Sequence, residues 1–372
     1  PGPAWKFCCH RGNEHQYYLD FGAPSWQLEP LTSKVNQLIS QGTLPFWNDN
    51  SGLGFPLMAD LSSAGVFHPL HWFNFLFPGQ YGLNLFFLAR LFLGALGVYV
   101  LFRLLKVQPV IAGLTASLYA LSGYFVLLIS IDHLITDLLI PWGLVAVELL
   151  LLNKHRWRMW AIGLLTIIYF HGNPETLFLI LVFAGVYLLY RAIQTSRHQV
   201  WPLLSWFAVA NILAFMISAV FWIPGLEFLI NAGHSHGPED LQGMLVRPIS
   251  GIATLLFPDQ MGIPFSRGFI ITYFGLGLWL LTVMALVTNF KKYWIYGLLA
   301  LLITAKIYDF GFLKYWGLLP MFNQISLSKY LAPFLNLVIL LISGLFINDL
   351  FSKKIIISIP FQKNILNLIY RN

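Results

Sequence analysis

The chain reads as an all-α polytopic membrane protein of about nine transmembrane helices with a large external first loop. Three observations lead there. Only 10% of the 372 residues are charged and 58% are hydrophobic, with a mean hydropathy of +0.70. A soluble domain carries about 25% charged residues, so water alone is not the solvent of this protein. Long runs almost free of charge recur, as spanning helices require, because lipid offers the backbone no hydrogen-bond partner. The charges are also sorted: thirteen of the fifteen carboxylates fall in segments that a charge-based topology puts on one side, and the basic residues between apolar runs collect on the other.

Taken in order, residues 1–80 form the longest stretch without a span and are rich in Trp, Pro, Gly, His and Asp. They read as an ordered external loop region with short helices. Within it, EPLTSKVNQLISQ (29–41) has the pattern of an amphipathic helix able to lie on a membrane surface. The transmembrane domain follows at 81–354, with spans expected at 82–102, 109–130, 137–152, 158–171, 176–190, 201–223, 270–290, 293–307 and 330–349. Some of these fall short of the roughly 20 residues of a full crossing, and must tilt little or borrow flanking residues. Beyond it the tail 355–372 is apolar but interrupted by Pro360, and suits a surface helix or the start of another span.

Orientation follows from the connections. Arg103 with Lys106, then Lys154, Arg156 and Arg158, then Arg191 with Arg197, Lys291 with Lys292, and Lys353 with Lys354 occupy every second one. The positive-inside rule makes these cytoplasmic, and leaves residues 1–80, 131–136, 172–175, 224–269 and 308–329 external. With residue 80 outside, a further span before Pro1 is expected. The net charge of +7 is a topology signal, spread in twos and threes rather than gathered on one polar face, and nucleic acid is not an expected partner. Cys8 and Cys9 are adjacent, with no second pair to build a framework, and read as incidental.

Carboxylates, histidines and buried cations carry the chemical possibilities. Asp20 follows two tyrosines in HQYYLDFGAPSW and is suited to act as a general base or to hold a divalent cation, or simply to cap a turn. In LPFWNDNSGLGFPLMADLSSAGVFHPLHW (44–72), Gly52, Gly54 and Pro56 make a compact turn between Asp49 and Asp60, with His68 and His71 following. Such a loop lines a cleft, or packs on the membrane with Trp47 and Trp72 in the interfacial belt. The spacing of Asp60, His68 and His71 matches no strong zinc pattern. Arg90 lies inside an apolar span, where a charge is costly and faces a polar cavity or snorkels, and a phosphate or carboxylate contact is the functional reading. Asp132, His133 and Asp137 stand at the external mouth of the third span, and Glu175 occupies a tight GNPET turn beside His171 and Asn173. Helix capping explains each of these singly; convergence on one membrane face argues for a shared site. Lys329, just before the last span, is placed to bind a lipid phosphate or to anchor at the interface.

These segments together resemble the YfhO-like family of bacterial membrane proteins, which belongs with the GT-C superfamily of polyprenyl-phosphate-sugar-dependent glycosyltransferases. The resemblance is carried by LPFWNDNSGLGFPLMAD, GVFHPLHWFNFLFP, LGALGVYVLFRLL with ASLYALSGYFV, HGNPETLFLIL, LFPDQMG and FNQISLSKYLAPF, in that order over about residues 20–350. It implies a GT-C-like fold in a bacterial cytoplasmic membrane with its active face external, a polyprenyl-phosphate sugar donor, and a cell-envelope glycopolymer or lipid as acceptor. It further implies an essential Asp in the first external loop, which Asp20 matches best by position and Asp60 second. Arg90 and Lys329 then hold the carrier phosphate, while Asp132, His133 and Glu175 shape the sugar and acceptor pocket. Family members often carry Arg where Lys329 stands, which keeps the charge without bidentate geometry. The alternative is a polytopic transporter or lipid-carrier flippase, which calls for ionisable residues near the midplane and broken helices in matching halves.

Overall fold

The computed structural model describes residues 28–50, 52–54, 56–59, 69–129, 132–170, 173–195, 199–231, 252, 255–256, 275–308, 311–325 and 327–352. Among them there is no strand, and the molecule is built from helices. The expected amphipathic helix is α1, Glu29–Ser40, entered through Pro30 and closed by Gly42 at positive φ, whose N–H donates to the Ile39 carbonyl at 2.9 Å. Its apolar stripe packs on protein: Val35 is buried against Leu57, and the Asn36 amide donates to the Asn74 carbonyl at 2.9 Å in the short helix α2, Trp72–Leu76. Lys34 pairs with Asp49 at 2.5 Å, which holds that exposed carboxyl below the usual carboxylate range. After Asp49 the chain folds back so that Gly54, at φ +106°, lies against the Trp47 indole where a Cβ has no room.

A helix lies over each of the nine expected apolar segments, and four are long and apolar enough to cross a membrane. These four are α3 (Gln80–Leu104), α8 (Pro174–Thr195), α9 (Val200–Ile217) and the last long helix, Ala332–Phe351. The others are α4 (Pro109–Ala120), α5 (Gly123–Leu127), α6 (Ile140–Leu151), α7 (His155–Phe170), α10 (Ala219–Asn231), α11 (Leu276–Thr288), α12 (Phe290–Ile307) and the single turn α13 (Leu327–Tyr330), which leads into Ala332–Phe351 as α14.

Two segments that read as continuous are broken. The run 109–130 stops after Ala120, because Ser122 takes an extended conformation before α5 restarts at Gly123. The run 201–223 breaks at Ser218, whose hydroxyl donates back to the Ala214 carbonyl at 2.8 Å, and α10 then carries Pro224 inside it. Apolar periodicity does not register either break.

Helix α14 is apolar all round and lies at the centre, buried along almost its whole length against α4, α6, α11 and α12. Helix α3 approaches α6 closely where Gly97 leaves space for Trp142, and the segment just before α6 where Gly94 leaves space for Leu138. The outer faces of α3, α9, α10 and α11 expose Leu88, Phe92, Ile212, Met216, Ile223 and Val287. A water-soluble monomer rarely presents apolar surface on this scale, and it suits contact with lipid acyl chains.

Side-chain bonds define two ends of this bundle. At one, Arg191 of α8 grips Glu148 of α6 through two bonds of 2.7 and 3.0 Å, Tyr187 donates to the same carboxylate at 2.6 Å, and Lys292 and Tyr293 of α12 both meet Asp349 of α14. Glu148 and Asp349 are the two carboxylates that break the charge sorting, and each is neutralised where it lies. The opposite end carries the N-termini of α3, α6, α8 and α14.

Candidate functional site

Before α6 the chain runs for eight residues, Asp132–Leu139, as a 3₁₀ helix, longer than the three or four residues usual for that geometry. Thr136 and Asp137 within it are fully buried. One oxygen of the Asp137 carboxylate accepts from Thr176 at 3.0 Å and the other from the Tyr124 hydroxyl, while the Asp137 carbonyl accepts from Tyr119 at 3.2 Å. Hydroxyls from α4, α5 and α8 therefore converge on one residue, as a carboxylate taken out of water requires.

The GNPET turn supplies the next layer. Asn173 caps α8 with its side-chain oxygen, accepting from the backbone of Glu175 at 3.0 Å and of Thr176 at 3.5 Å. Its amide donates to the Tyr330 hydroxyl at 3.2 Å, and its own N–H reaches Thr136 at 3.5 Å. One side chain thus joins the 3₁₀ segment, the start of α8 and the turn α13. Glu175 sits half-buried in the first turn of α8, where a carboxylate is favoured by the helix dipole, and lies within electrostatic reach of Tyr330. Below them Asn336 of α14 donates to Ser122 at 3.0 Å, which uses the break between α4 and α5.

Arg90 approaches from α3. It is buried, donates to the Ile129 carbonyl at 3.0 Å just ahead of the 3₁₀ segment, and has its guanidinium 5.3 Å from the Phe86 ring centre. The His71 ring also packs on Phe86, 4.6 Å between centroids. Burial and the Arg90 charge push the His71 imidazole down to about 3, so it is neutral at physiological pH.

Of the residues selected from the sequence, Arg90 and Glu175 therefore lie at this end with their contacts described. Asp132 and His133 begin the 3₁₀ segment and Lys329 precedes Tyr330 in α13; their backbones are placed, and their side chains lie outside the described residues. Asp20, Asp60 and His68 also lie outside them. Among the described residues no group of three His, Cys, Asp or Glu gathers to hold a metal ion.

No family model, characterised protein or solved structure matches this chain. The reading of the site therefore rests on its residues. What sequence reasoning missed is the hydroxyl and amide layer of Tyr119, Tyr124, Thr176, Tyr330 and Asn336 around the capping Asn173. Its signal was the presence of Tyr, Thr and Asn in otherwise apolar helices near one end, but no spacing rule says that they converge.

Proposed function

We propose that the protein is a membrane glycosyltransferase of GT-C-like architecture, with about nine transmembrane helices in this chain, that moves a sugar from a polyprenyl-phosphate carrier to a cell-envelope acceptor at the external face of a bacterial cytoplasmic membrane. The acceptor hydroxyl oxygen attacks the anomeric carbon as the bond from that carbon to the phosphate oxygen breaks, with inversion. The carboxylate of Asp20, or Asp60 in its place, takes the hydroxyl proton, directly or beside a divalent cation. The lipid phosphate leaves with the electron pair, and Arg90 and Lys329 stabilise its charge; fixed cations at a developing anion are a strong source of rate. Asp132, His133 and Glu175 contact the sugar and acceptor.

The observation that supports this reading most is the gathering at one end of the bundle. Arg90 bonds the chain just before Asp132, and Asn173 bonds both Thr136 and Tyr330, the neighbours of the other selected residues. The helix breaks at Ser122 and Ser218 favour carrier translocation as the second reading.

The test is transfer from a radiolabelled polyprenyl-phosphate sugar in membranes containing the full-length protein. Asp20→Asn is expected to abolish transfer with insertion unchanged, and Asp60→Asn to weaken it. Absence of transfer by the unmutated protein from every carrier sugar tried overturns the enzyme reading, and labelled carrier crossing the bilayer without transfer establishes the second.

A further inference from the structure

At the ionic end, away from the proposed transfer site, the ends of α3, α8, α12 and α14 enclose a cleft of about 310 Å³. That is the lower end of the roughly 300–1,000 Å³ of small-molecule sites. Three cations line it from three separate elements: Lys106 in the α3–α4 turn, Arg191 on α8 and Lys292 on α12.

The carboxylates that answer two of these cations lie beneath the cleft. Glu148 and Asp349 are 6% and 5% exposed, whereas Arg191 and Lys292 are 26% and 40% exposed. The carboxylates therefore fix the two cations from below and leave further donors toward the opening; Arg191 Nη1, for one, reaches only Gln194 at 3.4 Å. Of the three tyrosines lining it, Tyr293 spends its hydroxyl on Asp349 and Tyr190 on the Lys292 carbonyl. What the cleft offers an incoming group is positive charge.

Lys106 makes that charge a surplus. It has no carboxylate partner among the described residues. It also holds φ +63° at the end of α3, a position where glycine is the unstrained choice, since its N–H closes back on the Arg103 carbonyl at 3.1 Å. A lysine there costs backbone strain and adds an unanswered ammonium to a cleft that already holds two cations.

We propose that this cleft is an anion site for a phosphate group, held by Lys106, Lys292 and Arg191. The phosphate comes either as the headgroup of a membrane lipid or as a free soluble phosphate. Leu104, Leu105 and Leu345 give the site an apolar wall beside the charges.

The test uses the full-length protein in phosphatidylcholine nanodiscs. One arm adds phosphatidylglycerol and counts retained molecules by native mass spectrometry; the other titrates inorganic phosphate against chloride at equal ionic strength and follows Tm. Lys106→Gly removes the charge and relieves the positive φ, so its fold is at least as stable and lost binding is not misfolding. Lys291→Ala removes an exposed charge beside the cleft but not lining it. The expected result is at least a tenfold loss of affinity in Lys106→Gly and less than a twofold loss in Lys291→Ala. Loss confined to phosphatidylglycerol identifies a lipid headgroup, and loss of phosphate-induced stabilisation without anionic lipid identifies a soluble phosphate. No binding of either probe, no loss in Lys106→Gly, or equal losses in both variants overturns the site.

Discussion

At one end of the bundle Asp137 is held by the hydroxyls of Tyr124 and Thr176; at the other, Glu148 and Asp349 are each met by a cation from a neighbouring helix. The difference concerns what can change without breaking the fold. A hydroxyl rotates when its acceptor gains a proton or a new partner, whereas a guanidinium deprived of its carboxylate remains charged where solvation is poor. The ionic end staples α6 to α8 and α12 to α14. The hydroxyl end joins more elements by weaker bonds, which suits the proposed transfer site.

The largest expected effect lies at the ionic end. Glu148→Ala strands Arg191 and the Tyr187 hydroxyl, and is expected to cost about 3 kcal/mol, the lower end for breaking a buried pair because Arg191 is partly exposed. Denaturant unfolding in detergent micelles measures it, and a loss below about 1 kcal/mol would remove the distinction between the two ends.

Acid should loosen the other end. His71 has its folded basicity depressed to about 3 from an unfolded value of 6.5, so the unfolded chain binds the proton more readily. Stability is complete above pH 6.5 and falls as pH drops from there toward 3. By pH 5 the loss is about 2 kcal/mol, at 1.36 kcal/mol per unit. His71→Gln should flatten the stability profile over that window, and hydrogen exchange on acidification should rise first in α2. Tyr124→Phe comes next, with an expected cost of about 1.5 kcal/mol for one hydrogen bond to a charged group, read from Tm. The smallest effect belongs to Asp49→Asn. Its carboxylate is open to solvent, which screens the pair with Lys34, and no measurable change in Tm is expected.

The cations of the ionic end and the first helix were legible in the sequence. Lys106, Arg191 and Lys292 stood in alternate connections, and the amphipathic pattern of 29–41 became α1 within a residue. The membrane constraint explains why: a chain with few charges must put each where water or a partner meets it. The breaks at Ser122 and Ser218 were not legible, because one serine in an apolar run leaves its periodicity intact. Nor was the bond from Asn336 to Ser122, 214 residues apart, or the convergence on Asp137, since local patterns carry no information about which helix faces which. At the candidate site the cap at Asn173 followed from the GNPET turn, but its bond to Tyr330 did not.

The central claim is that the hydroxyl end, with Asp137, Asn173 and Tyr330, faces outward. Single cysteines at Gln80 and at Thr195, in a chain with Cys8 and Cys9 changed to Ser, report on the two ends by labelling with a membrane-impermeant maleimide. The account predicts that Gln80→Cys is labelled in intact cells and that Thr195→Cys is labelled only after the membrane is permeabilised. The reverse pattern would place the ionic cleft outside and contradict transfer at the external face.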